Sequence, residues 1–470
     1  MSSLNAIFKA YDVRGIVPEQ WDVTEARAIG SAFARFVSAP KILVARDMRL
    51  SGPRLSAAFA QGAISEGVQV TDLGLASTDL VYFASGHLDL PAAMFTASHN
   101  PAAYNGIKMC LPGARPIGSE TGLKAIEQMA EERLGADSQV AVDLEKAKAQ
   151  GMLTEMNLLD DYATHVRSFI SPSSLRPLKV VVDVANGMGG LVVPKVMERL
   201  PFELTLLFPD LDGNFPNHPA DPIQPENLIA LKEAVLSTSA DIGLAFDGDA
   251  DRVFLVDERA EGVSGSLTTA LVASSLLKKY PGATVLYNAI CSKVVPEVIA
   301  ENGGKGVRTR VGHSFIKEVM AETGAIFGGE HSGHYYFRDN YRADSGLIAA
   351  LIVLELLSRS TNPLSQLLSS LRRYVDSGEV NVAVYDPRKV IEAVELKVSG
   401  TGANLDYLDG LTVEYEEWWF NIRPSNTEPL LRINVEARTE QECEEHLHWV
   451  RSLVETADKD LRSSVDGGNF

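Results

Sequence analysis

The hydroxyl group of Ser98 lies in a polar turn segment, Thr-Ala-Ser-His-Asn-Pro, at residues 96–101. His99 and Asn100 follow the serine directly, and Lys108 lies ten residues beyond it. A serine with such neighbours can accept and return a group if one neighbour activates the hydroxyl and another stabilises the developing charge. This segment alone leaves open whether the group is an acyl or a phosphoryl group.

A second polar loop contains three aspartates at alternating positions, Asp247, Asp249 and Asp251, followed directly by Arg252. Strand-like apolar segments flank the loop, so a tight turn can direct three carboxylates at one hard cation. An EF-hand is excluded because the sixth position is Arg252 instead of glycine and because the flanking segments are not helical. We predict one Mg²⁺ ion here, in preference to a solvated acidic loop. Arg252 suits either an anionic oxygen in the site or an ion pair with one of the aspartates.

A glycine-rich loop at residues 328–334 combines a carboxylate, two imidazoles and a hydroxyl. The four side chains are those of Glu330, His331, Ser332 and His334. Glycines let the backbone approach a ligand, and the carboxylate with the hydroxyl offers the acceptors and donors that sugar hydroxyls need. We favour a polar-ligand site over a structural turn.

A proline-bounded loop at residues 423–429 carries a guanidinium, two hydroxyls and an amide, which suit a bound phosphate. These groups belong to Arg423, Ser425, Asn426 and Thr427. An ordinary serine or asparagine turn is an equally good interpretation of this loop alone. Arg14 and His313 are weaker candidates, since each alone is typical of an ordinary surface or packing residue.

The remaining sequence favours phosphoryl over acyl transfer. The chain contains no G-x-S-x-G segment, so the nucleophile elbow of the α/β-hydrolases is absent. Adjacent side chains on an extended chain diverge, so we expect His99 to be a poor base for Ser98. A magnesium triad is typical of phosphoryl chemistry, and a phosphate on Ser98 would supply a further anionic ligand to the cation.

The segments around these loops are predicted to be alternating strands and helices. Apolar runs at 41–47, 178–184 and 283–288 each lead into a helix-like segment, which predicts three related, layered α/β domains. Strand-like segments at 411–422 and 430–437, followed by an amphipathic helix over about 440–457, predict a C-terminal α+β domain. The predicted domain boundaries are 1–153, 154–256, 257–370 and 371–470.

Composition restricts the possible partners. The net charge of −19 repels nucleic acid and anionic membranes, so we expect neither as a partner, and an anionic substrate requires a local basic pocket. Three widely separated cysteines and an N-terminus without a signal-like segment predict a cytoplasmic protein. The longest apolar run, 346–357, is too short to span a bilayer and predicts a buried helix.

Together, the four motifs resemble those of the alpha-D-phosphohexomutases, in the same order and from about residue 8 to about residue 454. The resemblance implies four domains around one central cleft, each contributing one motif. It implies a phosphoserine at Ser98, with Mg²⁺ bound by Ser98 and by the three aspartates of the second loop. The implied remaining roles are sugar binding by Glu330 and Ser332, phosphate binding by Arg423, Ser425, Asn426 and Thr427, and a cleft wall of Arg14, His99, Lys108, Arg252, His313 and His334.

The resemblance also implies a reversible mutase, in which phosphoserine 98 phosphorylates a hexose phosphate and a hexose 1,6-bisphosphate turns around before the second transfer. We expect Lys108 to be the base, with a pKa lowered by neighbouring cations and the metal; His313, His334 and Arg14 are the alternatives. The Glu-x-Ser-Gly-His form of the sugar loop favours mannose phosphate, with dual mannose and glucose specificity or glucose preference as alternatives. A metal-dependent sugar phosphatase is a more distant alternative. We expect a monomer, with a dimer as the alternative.

Overall fold

The computed structural model describes residues 4–135, 142–425 and 430–466 of the 470-residue chain. Its strands form four separate sheets, of seven, five, four and six strands in chain order. Helices cover the first three sheets, and the fourth is a purely antiparallel sheet with two long helices. The predicted class, three related α/β domains followed by an α+β domain, is confirmed.

The first sheet has the strand order β1-β5-β4-β2-β3-β7, with β6 paired to β5. Its strands are β1 (Val13–Ile16), β2 (Lys41–Arg46), β3 (Gln69–Leu75), β4 (Ala92–Phe95), β5 (Tyr104–Leu111), β6 (Arg115–Pro116) and β7 (Leu153–Glu155). Its helices are α1 (Val23–Val37), α2 (Gly52–Ser65), α3 (Thr78–Leu88), α4 (Lys124–Leu134) and α5 (Leu144–Ala149).

The second sheet has the order β12-β11-β10-β8-β9. Its elements are α6 (Leu159–Arg167), β8 (Lys179–Asp183), α7 (Gly189–Met197), β9 (Glu203–Leu207), α8 (Ile229–Thr238), β10 (Ile242–Phe246), β11 (Val253–Asp257) and β12 (Gly262–Val263). The central strand β10 is buried at every position, as expected for a strand covered on both faces of a sheet.

The third sheet has the order β14-β13-β15-β16. Its elements are α9 (Gly265–Lys279), β13 (Thr284–Asn288), α10 (Val294–Glu301), β14 (Lys305–Thr309), α11 (His313–Thr323), β15 (Phe327–Gly329), β16 (Tyr335–Phe337), α12 (Gly346–Ser358) and α13 (Leu364–Ser369). Helix α12 is the buried helix that the longest apolar run predicts, and the Ser345 hydroxyl caps it by accepting from the Ile348 amide.

The fourth sheet has the order β17-β22-β21-β20-β19, with β18 paired to β22. Its elements are β17 (Val375–Asp376), β18 (Val380–Ala383), α14 (Pro387–Val398), β19 (Asn404–Asp406), β20 (Leu411–Glu414), β21 (Trp419–Pro424), β22 (Leu430–Ala437) and α15 (Glu440–Asp466). The single strand expected over 411–422 is instead two strands, because a turn between Glu414 and Trp419 folds them into an antiparallel pair.

The first three sheets share one topology. In each, two parallel strands are followed by a third parallel strand and then by an antiparallel fourth, giving β3-β2-β4-β5, β9-β8-β10-β11 and β14-β13-β15-β16. The strands β2, β8 and β13, which come earliest in the chain within each set, correspond to the three apolar runs that predict related domains. The loop from the third strand to the fourth therefore has the same place in each domain.

The first three sheets are linked by an apolar cluster that does not include the fourth sheet. One continuous apolar cluster includes residues of the first three sheets, from Leu43 to Leu371, whereas the fourth sheet and its helices enclose a separate cluster. The fourth domain is joined to the third by polar side chains such as Arg308, which donates to Asp406 at 3.2 Å and Glu414 at 2.9 Å. The first three domains are thus one packed unit.

The sheets extend slightly past two of the boundaries predicted from the sequence. Strand β7, which ends at Glu155, pairs with the first sheet, and β12, which ends at Val263, pairs with the second. We therefore propose that these two boundaries lie a few residues later, and we keep the third at 370/371.

None of the helices in the described ranges combines the length and apolarity that a bilayer crossing requires.

Candidate active site

Three of the chemistry-bearing loops occupy the equivalent place in their domains. Ser98 follows β4, the three aspartates follow β10, and Glu330 follows β15. All three loops thus leave the carboxyl end of the third parallel strand, where ligands bind in open α/β sheets. The Arg423 segment ends β21 in the fourth domain.

Ser98 is buried in a left-handed conformation, with φ at 48°. Its hydroxyl donates to Asp247 Oδ2 at 2.7 Å, although the two residues are 149 positions apart in the sequence. The Thr96 hydroxyl fixes the loop by accepting from the Ser98 amide at 2.9 Å. The structure therefore places the hydroxyl of the first motif in contact with the acidic loop of the second.

His99 lies closer to Ser98 than the sequence predicts. Its Nδ1 atom is 3.3 Å from Ser98 Oγ, because the left-handed backbone turns the two side chains to the same side. The expectation that they diverge is wrong, since it assumes an extended chain. Burial, followed by the positive charges of Arg252 and Arg14, holds the pKa of His99 well below its usual value.

Arg49 supports the Ser98 loop, and sequence reasoning missed it. Its side chain is fully buried and ion-paired to Asp47 at 3.2 Å. The guanidinium donates to four loop carbonyls, those of Ser98 at 2.8 Å, Asn100 at 2.6 Å, Pro101 at 2.8 Å and Tyr104 at 2.9 Å. One rigid cation thus holds the curvature of the loop. The only local signal is an Asp-x-Arg segment directly after β2.

The acidic loop brings Asp247, Asp249 and Asp251 together. All three are buried, and one oxygen from each lies within 4.8 Å of the others. Asp249 Oδ1 and Asp251 Oδ1 are buried and have no hydrogen-bond partner among the residues that the structure describes. Such oxygens are costly unless a cation binds them, so the donor set fits one hard divalent ion.

Two backbone features hold the acidic loop against the serine. Ala250 adopts a left-handed conformation, with φ at 61°, which closes the turn. A Cβ atom at Gly248 would lie 2.5 Å from the Ser98 carbonyl oxygen, so only glycine permits this approach. Burial and the charges of Asp251 and Asp249 hold the pKa of Asp247 well above its usual value, because both disfavour the ionised carboxylate.

Lys108 lies between two of the aspartates, with Nζ 2.7 Å from Asp249 Oδ2 and 2.6 Å from Asp251 Oδ2. Burial lowers the pKa of Lys108, but the two carboxylates outweigh burial and hold it well above the usual value. The predicted lowering of its pKa is therefore wrong for this arrangement. Lys108 is an ammonium group that neutralises the acidic loop.

Two arginines flank the same loops. Arg252 Nε lies 3.5 Å from Asp247 Oδ2, which is the ion pair that the sequence left open as an alternative to anion binding. Arg14, on β1, donates to Asn100 Oδ1 at 2.8 Å and to Asp12. The positive charge of both guanidinium groups acts on His99, which follows Ser98, so they supply local positive charge within an acidic protein.

Glu330 is buried, and its carboxylate already has three donors. Oε1 accepts from the Gly312 amide at 3.1 Å and the Asn288 amide at 3.3 Å, and Oε2 accepts from the Tyr336 hydroxyl at 2.8 Å. Glu330 thus ties the start of α11 to the glycine-rich loop at 328–334. Ser332 is partly exposed, and its hydroxyl has no hydrogen-bond partner within the described part of the chain.

The histidines of the glycine-rich loop at 328–334 differ in environment. His334 shares a hydrogen bond of 2.7 Å with Asp344 through Nδ1, which leaves Nε2 for a ligand. Burial, followed by the charges of Arg423 and Arg252, lowers the pKa of His331 to about 3. His331 is therefore neutral and lies near the arginines of both neighbouring loops.

In the fourth domain, Arg423 is buried and pairs with Glu379, and it donates to Asn434 Oδ1 at 2.8 Å. The Ser425 amide donates to the Leu430 carbonyl oxygen at 2.9 Å. Asn426 and Thr427 lie outside the described residues. His313 begins α11, but its side chain is outside the description.

Sequence reasoning also missed three side chains that hold the loops from behind. Thr78 donates to Asp249 Oδ2 at 2.5 Å through Oγ1, and its amide donates to the Asp249 carbonyl at 3.0 Å. Asp344 orients His334, and the buried Lys317 lies 3.3 Å from Asp344 Oδ1. These residues belong to helix ends or buried helices, and no local pattern marks them as part of a site.

Comparison with known families matches four successive segments of the chain. Residues 5–135, 160–262 and 264–374 match the alpha/beta/alpha domains I, II and III of the phosphoglucomutase/phosphomannomutase family, and residues 379–451 match its C-terminal domain. The segments follow one another in the same order as the four sheets.

Relatives align over nearly the full length. The phosphohexose mutases of Xanthomonas campestris are 40% identical over 433 residues, covering 92% of this chain and 95% of the relative. The phosphomannomutase of Escherichia coli K12 is 39% identical over 438 residues, covering 92% and 94%. A crystal structure of a phosphoglucomutase/phosphomannomutase family protein from Burkholderia thailandensis superposes with a TM-score of 0.85 at 33% identity, covering 96% of this chain and 97% of the other.

Proposed function

The chain belongs to the alpha-D-phosphohexomutase family of isomerases, and from that premise we propose that it interconverts mannose 6-phosphate and mannose 1-phosphate. The observation that carries the proposal is the 2.7 Å contact between Ser98 Oγ and Asp247 Oδ2. A nucleophile this close to a triad of carboxylates suits phosphoryl transfer, because a phosphate on Ser98 and the triad can share one cation.

In the proposed reaction, the free hydroxyl oxygen of a hexose phosphate attacks phosphoserine 98. A new P–O bond forms to the sugar, the P–Oγ bond breaks, and Ser98 Oγ recovers a proton while the sugar hydroxyl loses one. The resulting hexose 1,6-bisphosphate turns around, and its other phosphoryl group returns to Ser98. When bound, Mg²⁺ would be held by Asp247, Asp249, Asp251 and phosphoserine 98 and would supply charge neutralisation at the transferring group.

The surrounding side chains support these steps by position and charge. Lys108, Arg14 and Arg252 supply the positive charge that the three equatorial oxygens require. We propose His334 as the base in place of Lys108, because Asp344 orients its ring and leaves Nε2 for the sugar hydroxyl. His99 lies beside Ser98 Oγ, where it can hold the hydroxyl once the phosphoryl group has left.

Substrate recognition is assigned to the other two loops. We propose that Ser332 and Glu330 bind sugar hydroxyls, and that Arg423, Ser425, Asn426 and Thr427 bind the phosphate that is not reacting. His313, at the start of α11, completes the wall. The preference for mannose rests on the Glu-x-Ser-Gly-His form of the sugar loop and on the phosphomannomutase names of relatives. Dual specificity, or preference for glucose, is the alternative.

The cytoplasmic location and the monomeric state stay predictions.

Initial rates on the 1-phosphates of mannose, glucose and N-acetylglucosamine, each with Mg²⁺ and the matching hexose bisphosphate, test the proposal. We expect the largest kcat/KM for mannose 1-phosphate, with mannose 6-phosphate as product. Ser98→Ala should abolish turnover while binding of mannose 1-phosphate, measured by calorimetry, persists. Release of inorganic phosphate as the main product would instead identify a phosphatase, and a higher kcat/KM on glucose would overturn the sugar assignment.

A further inference from the structure

The carboxyl group of Asp79 joins the first three domains. The residue lies in the first turn of α3 and is fully buried. Oδ1 accepts from the Ser77 hydroxyl at 2.5 Å within the first domain. Oδ2 accepts from the Tyr162 hydroxyl on α6. It also accepts, at 2.7 Å, from the Ser345 hydroxyl, which caps α12. One side chain thus links an element of the first domain to one of the second and one of the third.

The chain neighbours of these residues contact the candidate active site. Thr78, which precedes Asp79, donates two hydrogen bonds to Asp249 in the acidic loop. Asp344, which precedes Ser345, orients His334 in the sugar loop at 2.7 Å. A shift between the starts of α3 and α12 would therefore move the supports of the acidic loop and the sugar loop relative to each other.

The chemistry of the joint is specific. No lysine or arginine forms an ion pair with Asp79 within the described ranges of the chain. Its charge is instead supported by three hydroxyl donors and by the N-terminal ends of α3 and α12, where backbone amides point outward. Burying a carboxyl group is unfavourable, and an apolar side chain of similar size could fill the space but could not accept from three hydroxyls.

We propose that Asp79 is a positioning residue for phosphoryl transfer, which holds the first three domains in the arrangement that places Ser98 against the acidic loop. The inference rests on the proposed function for its catalytic consequence, and on the two interdomain contacts, from Tyr162 and Ser345, for its structural one. Asp79 does not touch the reacting groups; it acts through Thr78 on Asp249 and through Ser345 and Asp344 on His334.

Four variants separate positioning from general stability. Asp79→Ala removes all three acceptor contacts, and Tyr162→Phe removes only the contact from the second domain. Asp79→Asn keeps an oxygen that can accept from Tyr162 and Ser345. Ser85→Ala is the matched control, because Ser85 is a buried hydroxyl on the same helix whose contacts, to Leu90 at 2.7 Å and Leu111 at 3.2 Å, stay within the first domain.

For each variant, kcat and KM, the thermal midpoint, and hydrogen–deuterium exchange of the segment 247–253 are measured. We expect Asp79→Ala to lower kcat by at least about tenfold, with a much smaller change in KM, because a misplacement of about 1 Å can lower a rate by about 10²-fold. Exchange of segment 247–253 should be faster in Asp79→Ala and Tyr162→Phe. Asp79→Asn should restore most of kcat and slow exchange, whereas Ser85→Ala should lower the thermal midpoint and change neither quantity.

Two outcomes would overturn the inference. One is equal kcat and equal exchange in Asp79→Ala and Ser85→Ala at comparable thermal midpoints; if Asp79→Ala does not fold, the same comparison is made with Tyr162→Phe. The other is an Asp79→Asn variant as impaired as Asp79→Ala. Exchange does not depend on turnover, so a wild-type protein without mutase activity would refute the proposed function while the exchange comparison still decides the role of Asp79.

Discussion

The buried carboxyl group of Asp79 predicts an unusual dependence of stability on pH. Burial raises the pKa of Asp79 to about 7, even though the hydroxyls of Ser77, Tyr162 and Ser345 act in the opposite direction. In an unfolded chain an aspartate titrates near about 3.9. Between these two values the folded protein binds a proton that the unfolded chain does not, so the free energy of unfolding falls as pH rises from about 4 to about 7 and this contribution is then constant.

The magnitude follows from the difference between the two pKa values. About three pH units at about 1.4 kcal/mol each correspond to a contribution of about 4 kcal/mol, as an order of magnitude. Measurements made well above the isoelectric point near 5.0 cover only the upper half of the pH interval between the two pKa values. Between pH 5.5 and 8.5, Asp79 should therefore reduce the free energy of unfolding by about 2 kcal/mol.

Asp79→Asn isolates this contribution, because an asparagine resembles the protonated carboxyl group and does not titrate. Unfolding by urea, followed by circular dichroism, is measured for both proteins at pH 5.5, 7.0 and 8.5. The variant should gain about 2 kcal/mol relative to the wild type across this range, with most of the gain below pH 7.5. The Ser85→Ala control should follow the wild-type pH dependence. Parallel pH dependences for the wild type and Asp79→Asn would refute the reasoning, since they would mean that burial does not raise the pKa of Asp79.

Three further perturbations address the loops and their supports. Arg49→Lys removes the guanidinium that holds four carbonyls of the Ser98 loop. In initial-rate assays kcat should therefore fall by about 10²-fold with KM little changed. Equal losses in kcat and 1/KM would contradict a positioning role. Asp249→Asn removes one charge from the acidic triad, and calorimetric titration with Mg²⁺ alone should give weaker binding; unchanged affinity would rule out the ligand assignment. Arg308→Ala breaks the ion pairs to the fourth domain, so KM should rise several-fold with kcat nearly constant, whereas a fall in kcat alone would place the effect elsewhere.

The repeated topology could be predicted from the sequence because its signals are local. The apolar runs that begin at 41, 178 and 283 are short and strongly patterned, and they become the equivalent strands β2, β8 and β13 of the three sheets. The acidic loop follows the buried strand β10 directly, so its place at the carboxyl end of that strand follows from the order of the elements in the sequence. The resemblance to a known family added the cleft and the assignment of one loop to each domain.

The contacts within the site could not be predicted, because they depend on residues distant in sequence. Lys108 and Asp249 are 141 positions apart, and only the folded chain reveals that the lysine is paired to carboxylates instead of standing near other cations. The left-handed conformation of Ser98 is equally nonlocal. Serine has no intrinsic preference for it, and it is held by Arg49 and by the close approach of Gly248. The roles of His313, Asn426 and Thr427 stay predictions.

The distribution of apolar cores matches what the proposed reaction demands of the two ends of the substrate. The Ser98 hydroxyl must stay in place against the acidic loop while the bisphosphorylated sugar turns, so that it can receive the second phosphoryl group. Its loop belongs to the three domains that share an apolar cluster and are joined by Asp79. The distal phosphate must be released and bound again at each turnover. The loop that we propose for it belongs to the fourth domain, which has a separate core and is joined by polar contacts such as those of Arg308. Polar contacts between domains yield at lower cost than a shared apolar core, so the fourth domain is the part that can move when the intermediate turns.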